Sequence, residues 1–235
     1  MSIDGHPVVR VAFERTVRLV TTARLRDAVM TPLAESDDDL AALAEIEGAT
    51  STRLVAQARG FGALRADELV HDVPHARFIN ASFAYANPQG LNRFNGTDRG
   101  AWYSALAIDT ALAEVGYHLT EFLRAAGDFH ATVDYAELFA SMAGEFVDLM
   151  QAPADTPCLG SDPATAYPAG NRLAAATRAD GLNGIVYPSI RHKGGTCIVA
   201  LRPNAVQSVA QGAIYRLGWT GDEAPAISGP LSGPI

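Results

Sequence analysis

Glu114 and His118 lie four residues apart, and so do His71 and His75. A carboxylate and an imidazole one helical turn apart can share a metal, but zinc needs a third and usually a fourth ligand, and neither pair sits in an H-E-x-x-H context. No metal is expected. A nucleophilic triad has no better footing, because there is no Gly-x-Ser-x-Gly elbow and no Cys-x-x-Cys. Cys197 falls in an apolar run, where a small buried thiol is the ordinary reading. Glu114 is more informative: it sits within one turn of a helix start and borders that helix's apolar face without belonging to it. Alone, it reads as a solvated glutamate favoured by the helix dipole.

The cations are almost all of one kind. Of 18 Lys and Arg, Lys193 is the single lysine, which leaves 17 arginines. Codon composition explains most of them. A guanidinium is nevertheless the fork that matches carboxylate or phosphate oxygens in pairs.

Several elements must position these groups. Residues 8–20 alternate as a strand. Ser36 caps an acidic first turn ahead of Leu40, Leu43 and Ile46, with Gly48 as the stop, and 50–66 continues as a helix or connector. Residues 70–80 show no clear period. Turn signals at 87–90 and 95–96 bracket the run Leu91 to Phe94. A strand follows at 101–107. Asp109 or Thr110 then caps an amphipathic helix with Leu112, Val115, Leu119, Phe122 and Leu123 on one stripe, ending near Gly127. Residues 129–135 alternate as a strand, 136–168 is ambiguous, and 169–180 suits a helix ended by Gly181. Two buried strands, 184–187 and 196–201, flank the turn Arg191-His192-Lys193-Gly194-Gly195. The last ten residues read as irregular. Without regular βαβ alternation or a Gly-x-Gly-x-x-Gly turn, a Rossmann domain is excluded and a mixed α+β domain is expected.

Read together, the segments carrying Asn92-Arg93-Phe94-Asn95-Gly96, Trp102-Tyr103-Ser104, Thr110 to His118, Asn183 to His192 and Gly194-Gly195-Thr196-Cys197 form an ordered set. This set resembles the RES domain family, named for an arginine, a glutamate and a serine, here Arg93, Glu114 and Ser189. The resemblance runs from about Arg18 to the Tyr215–Trp219 region. It implies one α+β domain related to the ADP-ribosyltransferase fold, with small mixed sheets, flanking helices and an N-terminal helical elaboration. Approximate divisions are an N-terminal strand and helical part at 1–66, a core bearing the site at 67–220, and an irregular tail at 221–235. The resemblance further implies the toxin of a bacterial toxin–antitoxin pair. Such a toxin breaks the nicotinamide N-glycosidic bond of NAD, with phosphate or water as acceptor, beside an Xre-like helix-turn-helix antitoxin. NAD is then substrate, not cofactor, and no cofactor is expected.

The residue types suit that chemistry. Arg93 would grip phosphate or ribose oxygens. Tyr103 would lay its ring on nicotinamide or the adjoining ribose. Glu114 would hold the ribose hydroxyls and stabilise the oxocarbenium-like transition state. Ser189 would orient ribose or phosphate. Arg18 would take the diphosphate, and Arg191 an incoming inorganic phosphate. The chain departs from many relatives in having Leu91-Asn92 where they have Gly-Ser, and Leu119 where they have arginine.

Two rival readings share these residues: a mono-ADP-ribosyltransferase acting on a protein, and a non-catalytic partner-binding module with a decayed NAD pocket. The net charge of -8 disfavours direct binding to polynucleotides or anionic membranes. With no apolar leader, no membrane-length apolar run and only two cysteines, a cytoplasmic protein is expected. The oligomeric state is open, with a homodimer among the options.

Overall fold

The computed structural model describes residues 1–23, 64–84, 86 and 90–231. The helix expected after Ser36 and most of the 50–66 segment lie outside the described residues, as do Asn87 to Gln89 of the first turn. In chain order the strands are β1 (Ser2–Ile3), β2 (His6–Thr21), β3 (Trp102–Ala105), β4 (His130–Asp148), β5 (Gly184–Pro188), β6 (Thr196–Ala200), β7 (Val206–Thr220) and β8 (Ala226–Leu231). The described α-helices are α1 (Ala76–Ala84), α2 (Ile108–Ala126) and α3 (Pro163–Ala179).

The strands form one connected eight-stranded sheet in the order β1-β2-β3-β6-β5-β4-β7-β8, with β2 also paired to β4. The pairings β2–β3, β3–β6, β6–β5, β5–β4 and β4–β2 therefore close a circuit. Only β4–β5 is parallel, so the sheet is mixed and the α+β class holds.

Each helix covers its own patch of sheet. Ile79 and Phe83 of α1 pack with Trp102, Ala136, Leu138, Met142 and Ile198. Leu173 and Ala174 of α3 pack with Ile185, Tyr187, Cys197 and Val199. Leu112 and Leu123 of α2 pack with Val17, Leu19, Leu217 and Trp219. Strands β5 and β6 thus send alternate side chains into two cores, which explains why their sequences are apolar throughout. At roughly 25 cal/mol per Å² of buried apolar surface, layers of this kind dominate the stability of such a domain.

Several expectations are corrected. The strand expected at 129–135 runs on to Asp148, through bulges opposite β7 between Ala136 and Leu138 and between Phe139 and Ser141. Helix α1 occupies a segment without a visible period, because its buried Asn80 interrupts the apolar stripe while bonding both N and O of Val70. Helix α3 starts at Pro163, before Pro168, with Asp162 accepting from the Ala164 N–H as its cap. The residue before α2 is Ala107, without a side-chain cap, and Phe122 on that helix is exposed. The tail is not wholly irregular, since Ala226–Leu231 pairs with β7 as an edge strand.

Candidate active site

The first half of α2 carries Glu114, and the turn after β5 carries Ser189. Gly127 ends this helix at φ 73, a left-handed conformation that glycine adopts without a Cβ clash. The Ser189 hydroxyl donates to Glu114 Oε1 at 2.6 Å. Ser189 Oγ in turn accepts from the backbone N–H groups of Arg191 at 3.2 Å and His192 at 3.0 Å. A serine hydroxyl has one proton and two lone pairs, so all of its capacity is committed within the protein. Ser189 is buried, and a short hydrogen bond to a carboxylate in such surroundings is of the strong, charge-assisted kind.

The β5–β6 turn is clasped to α2. Thr110 Oγ1 and His192 Nδ1 are 2.8 Å apart, and Ser189 N donates to Gly195 O at 2.9 Å. Gly195 is required here, since a Cβ on it would lie 2.5 Å from Thr110 Oγ1. Thr110, one of the two residues expected to cap α2, instead anchors this turn.

Arg93 stands on the loop before β3. Its Nη1 donates to the carbonyls of Cys158 at 2.5 Å and Gly160 at 3.1 Å, and its guanidinium lies 5.5 Å from the Tyr167 ring centre. Helix α3 holds this loop tightly. Asn171 Nδ2 donates to Asn92 O at 2.7 Å, and a Cβ on Gly170 would meet Arg93 O at 2.0 Å. Tyr103 grips the loop from the other side: its hydroxyl donates to Asn95 Oδ1 and accepts from Phe94 N, both at 2.9 Å. Burial raises that phenol above its ordinary range. The Tyr103 hydroxyl is therefore engaged in shaping the Arg93 loop.

Arg191 stacks on Tyr117 with 3.4 Å from guanidinium carbon to ring centre. Among the described residues neither Arg93 nor Arg191 forms an ion pair. Two side chains register the common electrostatics. Burial raises the Tyr167 phenol, with Arg93 and Arg191 opposing and Glu114 adding to the shift. His118 is held below the usual imidazole range, chiefly by removal of water, against the pull of Glu114 and with the repulsion of Arg191 and Arg93. Glu114, Arg93 and Arg191 thus lie within electrostatic reach of the same two side chains, which places them in one neighbourhood.

Arg18 is placed differently. Its Nη1 lies 3.5 Å from Ala101 O and 3.4 Å from Tyr103 O, with its guanidinium 4.8 Å from the Trp102 ring centre. It backs onto β3 beside Tyr103 and is not hydrogen-bonded to Glu114 or Ser189. His71 and His75 lie in the exposed segment before α1. Sequence reasoning missed Tyr167, which fell in the ambiguous stretch. It also passed over Tyr117, whose spacing of three from Glu114 puts both on one helix face.

A mixed α+β domain with a hydroxyl-held carboxylate near two guanidinium groups that have no ion-pair partner among the described residues is the class that this geometry defines. A family model described as the RES domain matches residues 69–220, and the chain belongs to that family. It is 30% identical over 190 residues to the uncharacterized protein y4oC of Sinorhizobium fredii, spanning 79% of this chain and 75% of that protein. Among solved structures it is similar to the M. tuberculosis MbcT–MbcA toxin–antitoxin complex, at 15% identity and a TM-score of 0.35. That match covers 52% of this chain and 71% of the solved one. No helix among the described residues is long and apolar enough to cross a membrane.

Proposed function

We propose that this protein is an NAD-degrading toxin of a toxin–antitoxin pair, cleaving the nicotinamide N-glycosidic bond with phosphate or water as acceptor. The observation that carries this reading is the pairing of a fixed carboxylate with uncompensated cations. Glu114 is held by Ser189 at 2.6 Å, while Arg93 and Arg191, which act on the same Tyr167 and His118 side chains as Glu114, have no carboxylate partner among the described residues. A dinucleotide offers the complement: an anionic diphosphate for the guanidinium groups, and a ribose that gains positive charge as nicotinamide departs.

Bond cleavage then needs little proton chemistry. Nicotinamide leaves as a neutral molecule carrying the bonding pair, and the carboxylate stabilises the oxocarbenium-like ribose by charge. Water or phosphate adds to the anomeric carbon, giving ADP-ribose with loss of a proton or ADP-ribose 1-phosphate. Arg93 retains N–H donors beyond the two carbonyls it binds, so it can hold phosphate oxygens without leaving its loop. Arg191 stacks one face of its guanidinium on Tyr117, which leaves its in-plane N–H groups to bind an anion such as inorganic phosphate. Membership of the RES family supports the same reading, and so supports an antitoxin as partner.

The test is incubation of pure protein with NAD, with and without phosphate. Nicotinamide release with ADP-ribose 1-phosphate only when phosphate is present identifies phosphorolysis, and ADP-ribose in both conditions identifies hydrolysis. Transfer of label from NAD to a protein band in lysate replaces this reading by protein ADP-ribosylation. No turnover and no NAD binding leave a non-catalytic module.

A further inference from the structure

Glu114 Oε1 has a second donor. Cys197 Sγ lies 3.7 Å from it, within the longer reach of a sulfur hydrogen bond, while no partner occupies Oε2 among the described residues. The two donors come from elements of different rigidity. Ser189 stands on a turn, whereas Cys197 is paired on both sides, to Ala105 of β3 and to Tyr187 of β5, and is 1% exposed.

We propose that Cys197 is a positioning residue for Glu114: its thiol, with the Ser189 hydroxyl, fastens Oε1 and leaves Oε2 as the oxygen presented to the substrate. One contact from a turn fixes distance but leaves the carboxylate free to swing about it. A second contact from the centre of the sheet removes that freedom. The thiol remains a donor throughout the accessible pH range, since burial and the neighbouring Glu114 charge push its pKa up to about 12. Its proton therefore stays available to the carboxylate.

The inference rests on the NAD reading for its kinetic consequence but not for the bond itself, so two measurements separate them. The infrared S–H stretch of Cys197 is isolated by subtracting the spectrum of Cys197→Ser, which retains only Cys158. It should lie at lower frequency in the wild type than in Glu114→Gln, whose neutral amide is a weaker acceptor. An unchanged frequency overturns the proposal.

The second measurement compares Cys197→Ala and Cys197→Ser in NAD cleavage. A thiol that merely fills space predicts that Ala is the better replacement, because burying a hydroxyl is unfavourable. A thiol that donates predicts the reverse: Cys197→Ala lowers kcat about three- to tenfold at unchanged KM, and Cys197→Ser recovers most of it. Cys197→Ala as active as Cys197→Ser or better overturns the proposal. A wild type that shows the S–H shift yet cleaves no NAD overturns the functional reading and leaves the thiol as a donor to Glu114.

Discussion

Ser189→Ala separates two roles for this serine. Sequence resemblance assigns it to the ribose or phosphate of the substrate, whereas in the structure its proton goes to Glu114 and its lone pairs take two backbone N–H groups. A hydrogen bond to a charged group contributes about 1.5–3 kcal/mol net. With tenfold in rate per ~1.4 kcal/mol, that is roughly 10- to 150-fold. If the bond acts by holding the carboxylate that stabilises the transition state, the loss falls on kcat, with KM within about threefold of wild type. The N–H groups of Arg191 and His192 lose their acceptor at the same time. Both residues are half-buried, so water can reach them in part, and unfolding free energy should fall by about 1–3 kcal/mol. Steady-state kinetics with NAD and urea denaturation measure the two quantities. Ser189→Thr, which keeps the hydroxyl, should recover both. A variant with unchanged kcat and a raised KM would refute this reasoning and return Ser189 to direct substrate contact.

Other consequences follow from the packing. Gly170→Ala places a methyl against Arg93 O, and overpacking of this kind costs about 1–3 kcal/mol; denaturation should show it, together with a raised KM as the Arg93 loop shifts. Glu68 accepts from Arg99 Nη1 at 3.0 Å and Nη2 at 2.8 Å, with both side chains largely buried. Hydrogen bonding to Arg99 holds its carboxyl below the ordinary 4.5. As pH falls through 4.5 the unfolded chain takes up the proton first, so stability present above that value is lost toward the lower folded pKa. Glu68→Gln should lower stability at pH 7 by about 3–5 kcal/mol, because Arg99 is left buried without its partner. It should also flatten the dependence of urea midpoints on pH below 4.5.

How much of this was legible in the chain depends on periodicity. Helix α2 was readable because Leu112, Val115, Leu119 and Leu123 keep the helical period, and β5 with β6 because both faces of each strand are buried. The second half of β4 was hidden by its bulges, which break the two-residue alternation, and by the buried Glu137, which accepts from Ala213 N. The first turns of α3 were hidden by Pro168, and β8 by its exposure and by Gly229-Pro230, a sequence that an edge strand tolerates. The candidate residues Arg93, Glu114 and Ser189 came from the family resemblance. Their contacts are tertiary: Ser189 lies 75 positions from Glu114 and Cys197 lies 83 positions away. Spacing cannot show that the hydroxyl of Ser189 is already committed, or that the Cys197 thiol shares its oxygen.

Glu114→Gln tests most directly whether the carboxylate of Glu114 drives nicotinamide release. The amide keeps the shape and an acceptor for Ser189 but removes the charge. Nicotinamide release from NAD by the wild-type protein, reduced at least ~10²-fold in the variant while both unfold at similar urea concentrations, is the predicted result. Equal rates of release by the two proteins would contradict the account.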